Sequence, residues 1–294
     1  MLKSYAKLNI FLKVTGKLGD YHLLESLFVY IDLFDQLEIA KSKQNSLQIS
    51  GQYQDKLLGE LSSSDEALWE NSIFAKTYRI FQKEFAIADQ FLIKLEKNIP
   101  IGSGLGGGSS NAACFLKYLL NFYNIDITQQ EQYKLAAKIG ADCAFFMQGN
   151  ARLISGFGDQ VGAKITIKPC SVSLLNFGIS SYTKDVFKEY AKSNKGYSDQ
   201  INLADIASLE NKILTTEDLL SLSKTYGNDL ESAFFSLNRS IQERLSNMPL
   251  KGLDYFVSGS GSIMFFYPDL KKYVTSKEGY VILREQFILN QVNC

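Results

Sequence analysis

The chain has 294 residues, 46% hydrophobic and 21% charged, which is enough for one large domain or two moderate ones and a self-sufficient core. Lys+Arg and Asp+Glu balance at 31 each, which argues against nucleic acid as a partner, and no run reaches the roughly 18 apolar residues of a membrane helix. A single histidine and four cysteines (Cys114, Cys143, Cys170, Cys294) scattered in apolar surroundings argue against a structural zinc site and a disulfide framework.

The cysteines read as small buried hydrophobes. The N-terminal stretch MLKSYAKLNIFLKVTGK has no apolar core of a signal peptide, because Lys7 and Lys13 interrupt it, so a cytosolic location is expected. Residues 5–14 alternate, with Ala6, Leu8, Ile10, Leu12 and Val14 on one face and Tyr5, Lys7, Asn9, Phe11 and Lys13 on the other. That period of two predicts a strand on which Lys7 and Asn9 point the same way. A second strand is predicted over 27–40. A helix is predicted over 66–85, from the imperfect spacing of Leu68, Ile73, Ala75, Tyr78 and Phe81. Phe91, Ile93 and Leu95 alternate again before Pro100 ends the run.

Leu116, Leu119, Leu120 and Tyr123 then recur at helical spacing. Thr128 followed by Glu131 fits a capping box and Gly140 a C-terminal cap, so a helix is expected over about 129–139, with Asp142 just beyond its end. The second half offers two short strand-like runs in KITIKPCSVSLLNFGIS and a polar loop at 193–200. A helix is expected over 227–245, then strand, glycine turn and strand over 254–268, and a last strand in GYVILREQF. Without regular βαβ alternation or an internal repeat, the pattern favours an α+β fold.

Between the strand ending at Pro100 and the helix beginning near Ser110 lies IGSGLGGGSS, with five glycines at 102, 104, 106, 107 and 108. Glycines between a strand and a helix start place free backbone N–H groups at the positive end of a helix dipole, an anion site. Glycine lets backbone approach a phosphate closely, and Ser109 and Ser110 add hydroxyls. The loop ends in Ser-Ser-Asn without lysine, so it is not a Walker A loop, and the acidic residue of a Rossmann fingerprint is missing.

PIGSGLGGGSS resembles the ATP loop of the GHMP kinases, whose form is Pro-x-x-x-Gly-Leu-Gly-x-x-Ser. The narrower GLGGGSSNAA is similar to the 4-diphosphocytidyl-2-C-methyl-D-erythritol kinases. YAKLNIFL, YHLLESLF, GADCAFF and SGSGSIMFF agree with that family in order, and ENSIFAK and NDLE agree more weakly. The resemblance implies a two-domain fold: an N-terminal ribosomal-protein-S5-like ATP-binding domain over 1–160 and a ferredoxin-like substrate domain over 161–294, with the site between them. It implies transfer of the γ-phosphate of ATP, with Mg2+, to the 2-hydroxyl of a cytidine diphosphate-linked methylerythritol. The partners implied are this small molecule, no nucleic acid and no membrane, with monomer or homodimer both open.

By resemblance, Asp142 is the base and Lys7 its partner. Pro100, Gly102, Gly104, Leu105, Gly106, Gly107, Gly108, Ser109 and Ser110 form the ATP loop, with Asn71 and Lys97 near the nucleotide. Asn9, Tyr21, His22, Phe187, Gly259 and Gly261 meet the acceptor, with Tyr21, His22 and Phe187 around the cytosine. No metal ligand is assigned beyond Ser110 as a candidate. The family pattern Asp-Gly-Tyr-His appears here as GDYH, without the glycine before Tyr21. The competing readings are a homoserine or mevalonate type of GHMP kinase and a non-catalytic nucleotide sensor on the same fold.

Overall fold

The computed structural model describes residues 1–61, 64–193, 196–250, 252–267, 269–272, 281–282, 286–289 and 292; Cys294, Pro268 and parts of the 193–200 loop and of GYVILREQF lie outside them. The alternating N-terminus forms β1 (Leu2–Leu18), antiparallel to β2 (Tyr21–Ser42). The turn closes at Gly19, whose φ of +60° suits glycine, so Tyr21 and His22 begin β2 directly. The middle of β1 is buried on both sides. A register shift between Asn9 and Leu12 breaks the expected alternation: Leu8, Ile10 and Phe11 pack in one apolar core, whereas Leu12, beyond the shift, borders the same cavity as Lys7 and Asn9.

β3 (Ser46–Ser50) runs parallel to β4 (Gln90–Glu96), and β4 is antiparallel to β2. Between β3 and β4 lie α1 (Gln54–Leu61), α2 (Asp65–Glu70) and α3 (Ile73–Phe85). The single helix expected over 66–85 is thus two. Asn71 ends α2 with its side-chain amide donating to the Leu61 carbonyl, and Ser72 takes an extended ψ of 157° and accepts from the Ala75 amide as an N-cap. Short polar side chains that bond the local backbone compete with helix continuation.

α4 (Gly107–Phe122) follows the glycine loop, α5 (Gln129–Ile139) has the expected bounds, and α6 (Cys143–Phe146) starts right after Asp142. The Thr128 hydroxyl accepts from the Glu131 amide and the Glu131 carboxylate accepts from the Thr128 amide, while Gly140 caps the other end in extended conformation. Thr128→Ala is expected to cost about 1 kcal/mol, read as a lower denaturation midpoint. An unchanged midpoint would show that the cap contributes nothing.

β5 (Arg152–Ser155), β6 (Gln160–Lys164), β7 (Thr166–Ile167) and β8 (Cys170–Asn176) lead into α7 (Thr183–Lys192) and α8 (Leu203–Glu210). Then come β9 (Ile213–Leu214), α9 (Thr216–Tyr226), α10 (Glu231–Leu237) and α11 (Arg239–Ser246). The expected 227–245 helix is also broken, at Asn238, whose amide donates to the Phe234 carbonyl. β10 (Phe256–Val257) and β11 (Met264–Phe266) flank the glycine turn, and β12 (Val281–Ile282) and β13 (Gln286–Leu289) pair with β8.

The main path of the sheet runs β10-β11-β8-β13-β2-β4-β3, with β1 and β5 also on β2. One core packs α3, α4 and α5 against β2 and β4 through Phe74, Tyr78, Phe91 and Phe115. A second packs α9 against β1, β8 and β11, and a third gathers α7, α10 and α11 around Phe234 and Phe266. Of the described cysteines, Cys114 and Cys143 are buried and Cys170 is half-buried. No helix among the described residues is long and apolar enough to cross a membrane.

Candidate active site

Gly106 sits at the N-cap of α4 with φ +71°, and Gly107, Gly108 and Ser109 form its first turn. A side chain at Gly106 would lie 2.8 Å from the Phe146 ring, and one at Gly104 2.0 Å from the Ser258 carbonyl oxygen. Glycine at 104 and 106 therefore satisfies both a left-handed backbone and a close approach. The first turn of α4 and the preceding loop line a cavity of about 1010 Å³.

The loop is fastened to the second half of the chain. The Ser181 amide donates to the Gly102 carbonyl at 2.7 Å and the Ile263 amide to the Ser103 carbonyl at 3.1 Å. The Ser181 hydroxyl donates to the Ser260 carbonyl at 2.7 Å, and the Ser258 hydroxyl to the Gly104 carbonyl at 3.2 Å. The segments around 102–104, 180–183 and 258–263 thus form one rim of the cavity.

At its floor, Lys7 Nζ lies 3.7 Å from Asp142 Oδ2 and donates to Asn9 Oδ1 at 2.5 Å. Asn9 Nδ2 donates to the Ser26 hydroxyl at 2.9 Å, which fixes the amide orientation. Lys7 is buried, whereas the Asp142 side chain is one-third exposed to the cavity. Burial pushes the Lys7 ammonium below the ordinary lysine range, and the Asp142 carboxylate opposes that shift. The Asp142 side chain makes no capping bond to α6 and is left for Lys7 and the cavity. Next to it, burial pushes the Cys143 thiol up to about 12, so this thiol is no nucleophile at neutral pH.

Among the described residues, five lysines (7, 17, 97, 184, 188) and two aspartates (20, 142) line the cavity, a balance suited to a polyanion. At the end away from α4, His22 stacks on Phe187 with centroids 5.0 Å apart and planes at 21°, while Tyr21 packs edge-on against Phe157. Burial and the Lys17 charge lower the His22 pKa below its usual value.

Lys7, Asn9, Tyr21, His22, Lys97, Pro100, Gly102, Gly104, Gly106, Gly107, Gly108, Ser109, Asp142, Phe187 and Gly259 all border this one cavity. Four sequence candidates do not. Asn71 is spent capping α2 on the Leu61 carbonyl. Ser110 is buried and accepts from the Ser4 hydroxyl at 2.8 Å, which turns it into the core rather than toward a metal. Leu105 is buried and its carbonyl accepts from the Lys7 amide at 2.9 Å. Gly261 lies behind the turn, where a side chain would be 2.5 Å from Phe234.

Sequence reasoning missed Asp35. It is fully buried, and its Oδ1 accepts from the Asn98 and Ile99 amides at 2.7 and 2.8 Å. Its Oδ2 accepts from Lys97 Nζ and, at 3.0 Å, from Asn111 Nδ2. One carboxylate thereby holds the approach to the glycine loop, Lys97 and α4 together. The sequence offered little signal for it, because Gln36 and Glu38 follow in the same strand, LFDQLEI, and Asp35 does not stand out from them.

The GHMP kinases N terminal domain family matches residues 72–150. Over 281 residues the chain is 34% identical to the 4-diphosphocytidyl-2-C-methyl-D-erythritol kinase of Clostridium novyi (strain NT), covering 92% of this chain and 91% of that protein. It is 34% identical to the kinase of the same name from Campylobacter jejuni subsp. jejuni serotype O:6 over 273 residues, covering 90% of this chain and 98% of that one. A solved structure of 4-(cytidine 5'-diphospho)-2C-methyl-D-erythritol kinase superposes with a TM-score of 0.68 at 23% identity, covering 98% of each chain. The Methanococcus jannaschii mevalonate kinase superposes with a TM-score of 0.59 at 16% identity, covering 99% of this chain and 98% of that one.

Proposed function

The chain belongs to the 4-diphosphocytidyl-2-C-methyl-D-erythritol kinase family, and on that premise we propose that Asp142 and Lys7 carry its phosphoryl transfer. It has the GHMP kinase fold and is an ATP-dependent phosphotransferase with an alcohol acceptor, the 2-hydroxyl of the cytidylated methylerythritol. The observation that carries the residue assignment is the Lys7–Asn9–Asp142 cluster, set in the same cavity as the glycine-rich start of α4.

The acceptor is a tertiary alcohol, weakly acidic and crowded. In the transfer its oxygen forms a bond to the γ-phosphorus while the bond between that phosphorus and the β,γ-bridging oxygen breaks, and ADP leaves. The acceptor's proton passes to Asp142. Lys7, lodged between Asp142 and Asn9, stabilises the developing negative charge on the acceptor oxygen. The first-turn amides of α4 and the glycines before it hold the nucleotide phosphates, and the fixed orientation of Asn9 aligns the acceptor.

Magnesium requires few protein donors, since it is commonly held by phosphate oxygens, waters and one or two oxygen side chains. The cavity fits that set, with the Ser109 hydroxyl as an oxygen donor beside the loop. Bound there, it would neutralise charge on the β- and γ-phosphates. We assign the nucleotide and the Lys7/Asp142 pair to a unit over residues 1–160. Phe187 and the glycine turn fall in 161–294, while Tyr21 and His22 belong to 1–160, and the working form is a cytosolic monomer or homodimer.

His22 and Phe187 form the cytosine end, with Tyr21 at its edge. A neutral imidazole can both donate and accept toward a base edge. Because the His22 pKa is lowered, the ring stays neutral at pH 7 and charges only on the acid side. As pH falls through that pKa, the KM for the acceptor is expected to rise. His22→Gln should flatten this acid limb, and Lys17→Met should move it to higher pH. An acid limb that persists unchanged in His22→Gln would remove His22 from the recognition of the base.

The assay that tests the function measures ADP release with ATP, magnesium and the cytidylated methylerythritol, with homoserine and mevalonate in parallel. Turnover restricted to the cytidylated acceptor supports the assignment. Turnover with another acceptor would keep the ATP loop and overturn the cytosine pocket.

A further inference from the structure

The NDLE segment at 228–231 has no part in the chemistry described above, and Asn228 does not border the cavity. Its surroundings nevertheless connect it to the reacting centre. Gly227, Asn228 and Asp229 run alongside β1: the Leu12 amide donates to the Gly227 carbonyl and the Asp229 amide to the Leu12 carbonyl, both at 2.9 Å. Asn228 Oδ1 accepts from the Leu230 amide at 2.9 Å at the start of α10. Both protons of its amide nitrogen go to the glycine turn, one to the Val257 carbonyl at 2.7 Å and one to the Gly259 carbonyl at 2.8 Å.

One NH2 group bonded to carbonyls two residues apart fixes the turn between them, where Gly259 has a φ of +58°. That turn abuts the catalytic cluster. The ideal Cβ position of Gly259 lies 3.1 Å from Asn9 Oδ1 and 3.5 Å from Lys7 Nζ. The Ser258 hydroxyl accepts from the Asn9 amide at 3.3 Å and points its proton toward Asn9 Oδ1 at 3.5 Å and the Gly104 carbonyl at 3.2 Å. Asn9 Oδ1 in turn accepts from Lys7 Nζ.

We propose that Asn228 is a positioning residue for the transfer: its amide clamps the 257–259 turn against Asn9 and Lys7, and so sets the orientation of Lys7 toward the acceptor oxygen. This rests on the assignment of Lys7 and Asp142 to catalysis. The neighbouring Asp229 serves a different purpose. Its carboxylate accepts from the Val14 amide at 2.7 Å, the Ser198 hydroxyl at 2.7 Å and Lys13 Nζ at 3.1 Å, none of which touches the turn. The two residues therefore separate positioning from local stability.

The test uses the full chain and compares Asn228→Asp, Asn228→Ser, Asp229→Asn and Asp142→Asn. Melting temperature, kcat and the KM of each substrate are measured for all, well below the lowest melting temperature. Asn228→Asp keeps the acceptor for the Leu230 amide but turns an oxygen toward two carbonyls. Its kcat should fall roughly 10-fold or more, with the ATP KM within about threefold, as misalignment of a positioned group predicts. Asn228→Ser retains one hydroxyl donor and should fall between this variant and the parent. Should Asn228→Asp fail to fold, the serine variant decides. Asp229→Asn should lower the melting temperature and leave kcat within about twofold. If Asn228→Ser and any folded Asn228→Asp keep the parental kcat while Asp142→Asn loses it, the clamp has no catalytic consequence and the proposal fails. If Asp142→Asn itself keeps its kcat, the catalytic assignment fails instead. A kcat loss in Asp229→Asn equal to that in Asn228→Asp would also overturn the proposal, because general loosening of the segment would then explain both.

Discussion

Asp142→Asn is expected to lower kcat by about 10²–10⁴-fold, the range associated with loss of a positioned general base. The amide is nearly the same size as the carboxylate and preserves the packing of α6, so any loss of stability comes from leaving the buried Lys7 without its counter-ion. It cannot take the acceptor's proton, and it removes the charge that opposes the burial shift on Lys7. Lys7, 3.7 Å away and buried, then faces the cavity without its counter-ion, which further lowers its pKa and weakens its hold on the developing oxyanion. The KM for ATP should stay within a few-fold, as the proposed placement of the phosphates on α4 and the glycine loop requires. Single-turnover measurement with both substrates saturating isolates the chemical step. A burst rate equal to the parent's would show that the proton goes elsewhere.

Asp35→Ala is expected to destabilise the protein by about 3–5 kcal/mol, the cost of leaving a buried charge without its partner. The Lys97 ammonium is almost as buried as Asp35 and, among the described residues, has only this carboxylate as an ion-pair partner. The substitution also frees the Asn98 and Ile99 amides and one Asn111 proton inside the core. Those amides lead straight into Pro100 and the glycine loop, so the KM for ATP should rise as stability falls. The double variant Asp35→Leu/Lys97→Met should recover much of the stability, since apolar replacement of a buried pair is often neutral or better. Its KM for ATP should remain high, because Lys97 borders the cavity. Urea denaturation of the single and double variants reads the first quantity and steady-state kinetics the second. A loss under about 1 kcal/mol for Asp35→Ala would falsify the view that this carboxylate holds the loop.

Much of the first half was legible because its signals are local. The bounds of α5 follow from Thr128 and Glu131, which bond each other across one turn. The glycine-built start of α4 follows from residues whose backbone angles and close contacts other side chains cannot adopt. The two helices read as too long, at 66–85 and 227–245, are broken at Asn71–Ser72 and at Asn238. In each case polar side chains found backbone partners that apolar spacing does not reveal.

Ser109 and Ser110 show where a motif stops being informative. They are neighbours in sequence, but successive helical residues point about 100° apart. Ser109 borders the cavity while Ser110 turns inward to Ser4. Asp35 and Asn228 carried no motif for their roles, because their partners are fixed by the fold. Asp35 reaches Asn111 across 76 positions, and Asn228 reaches Gly259 across 31.

The sequence alone made legible the candidate groups: a glycine-rich loop before a helix, a lysine and asparagine on one strand face, and a carboxylate after a capped helix. Those features depend on side-chain identity and on backbone propensities over a few residues. Only the tertiary structure decided which of them meet. Lys7 and Asp142 are 135 positions apart, and their approach depends on α4 packing against β1 and on α6 packing against α4 and, through Phe145, against β2. The same packing buries Lys7 and Lys97, and burial, which no short stretch of sequence encodes, sets their charge balance.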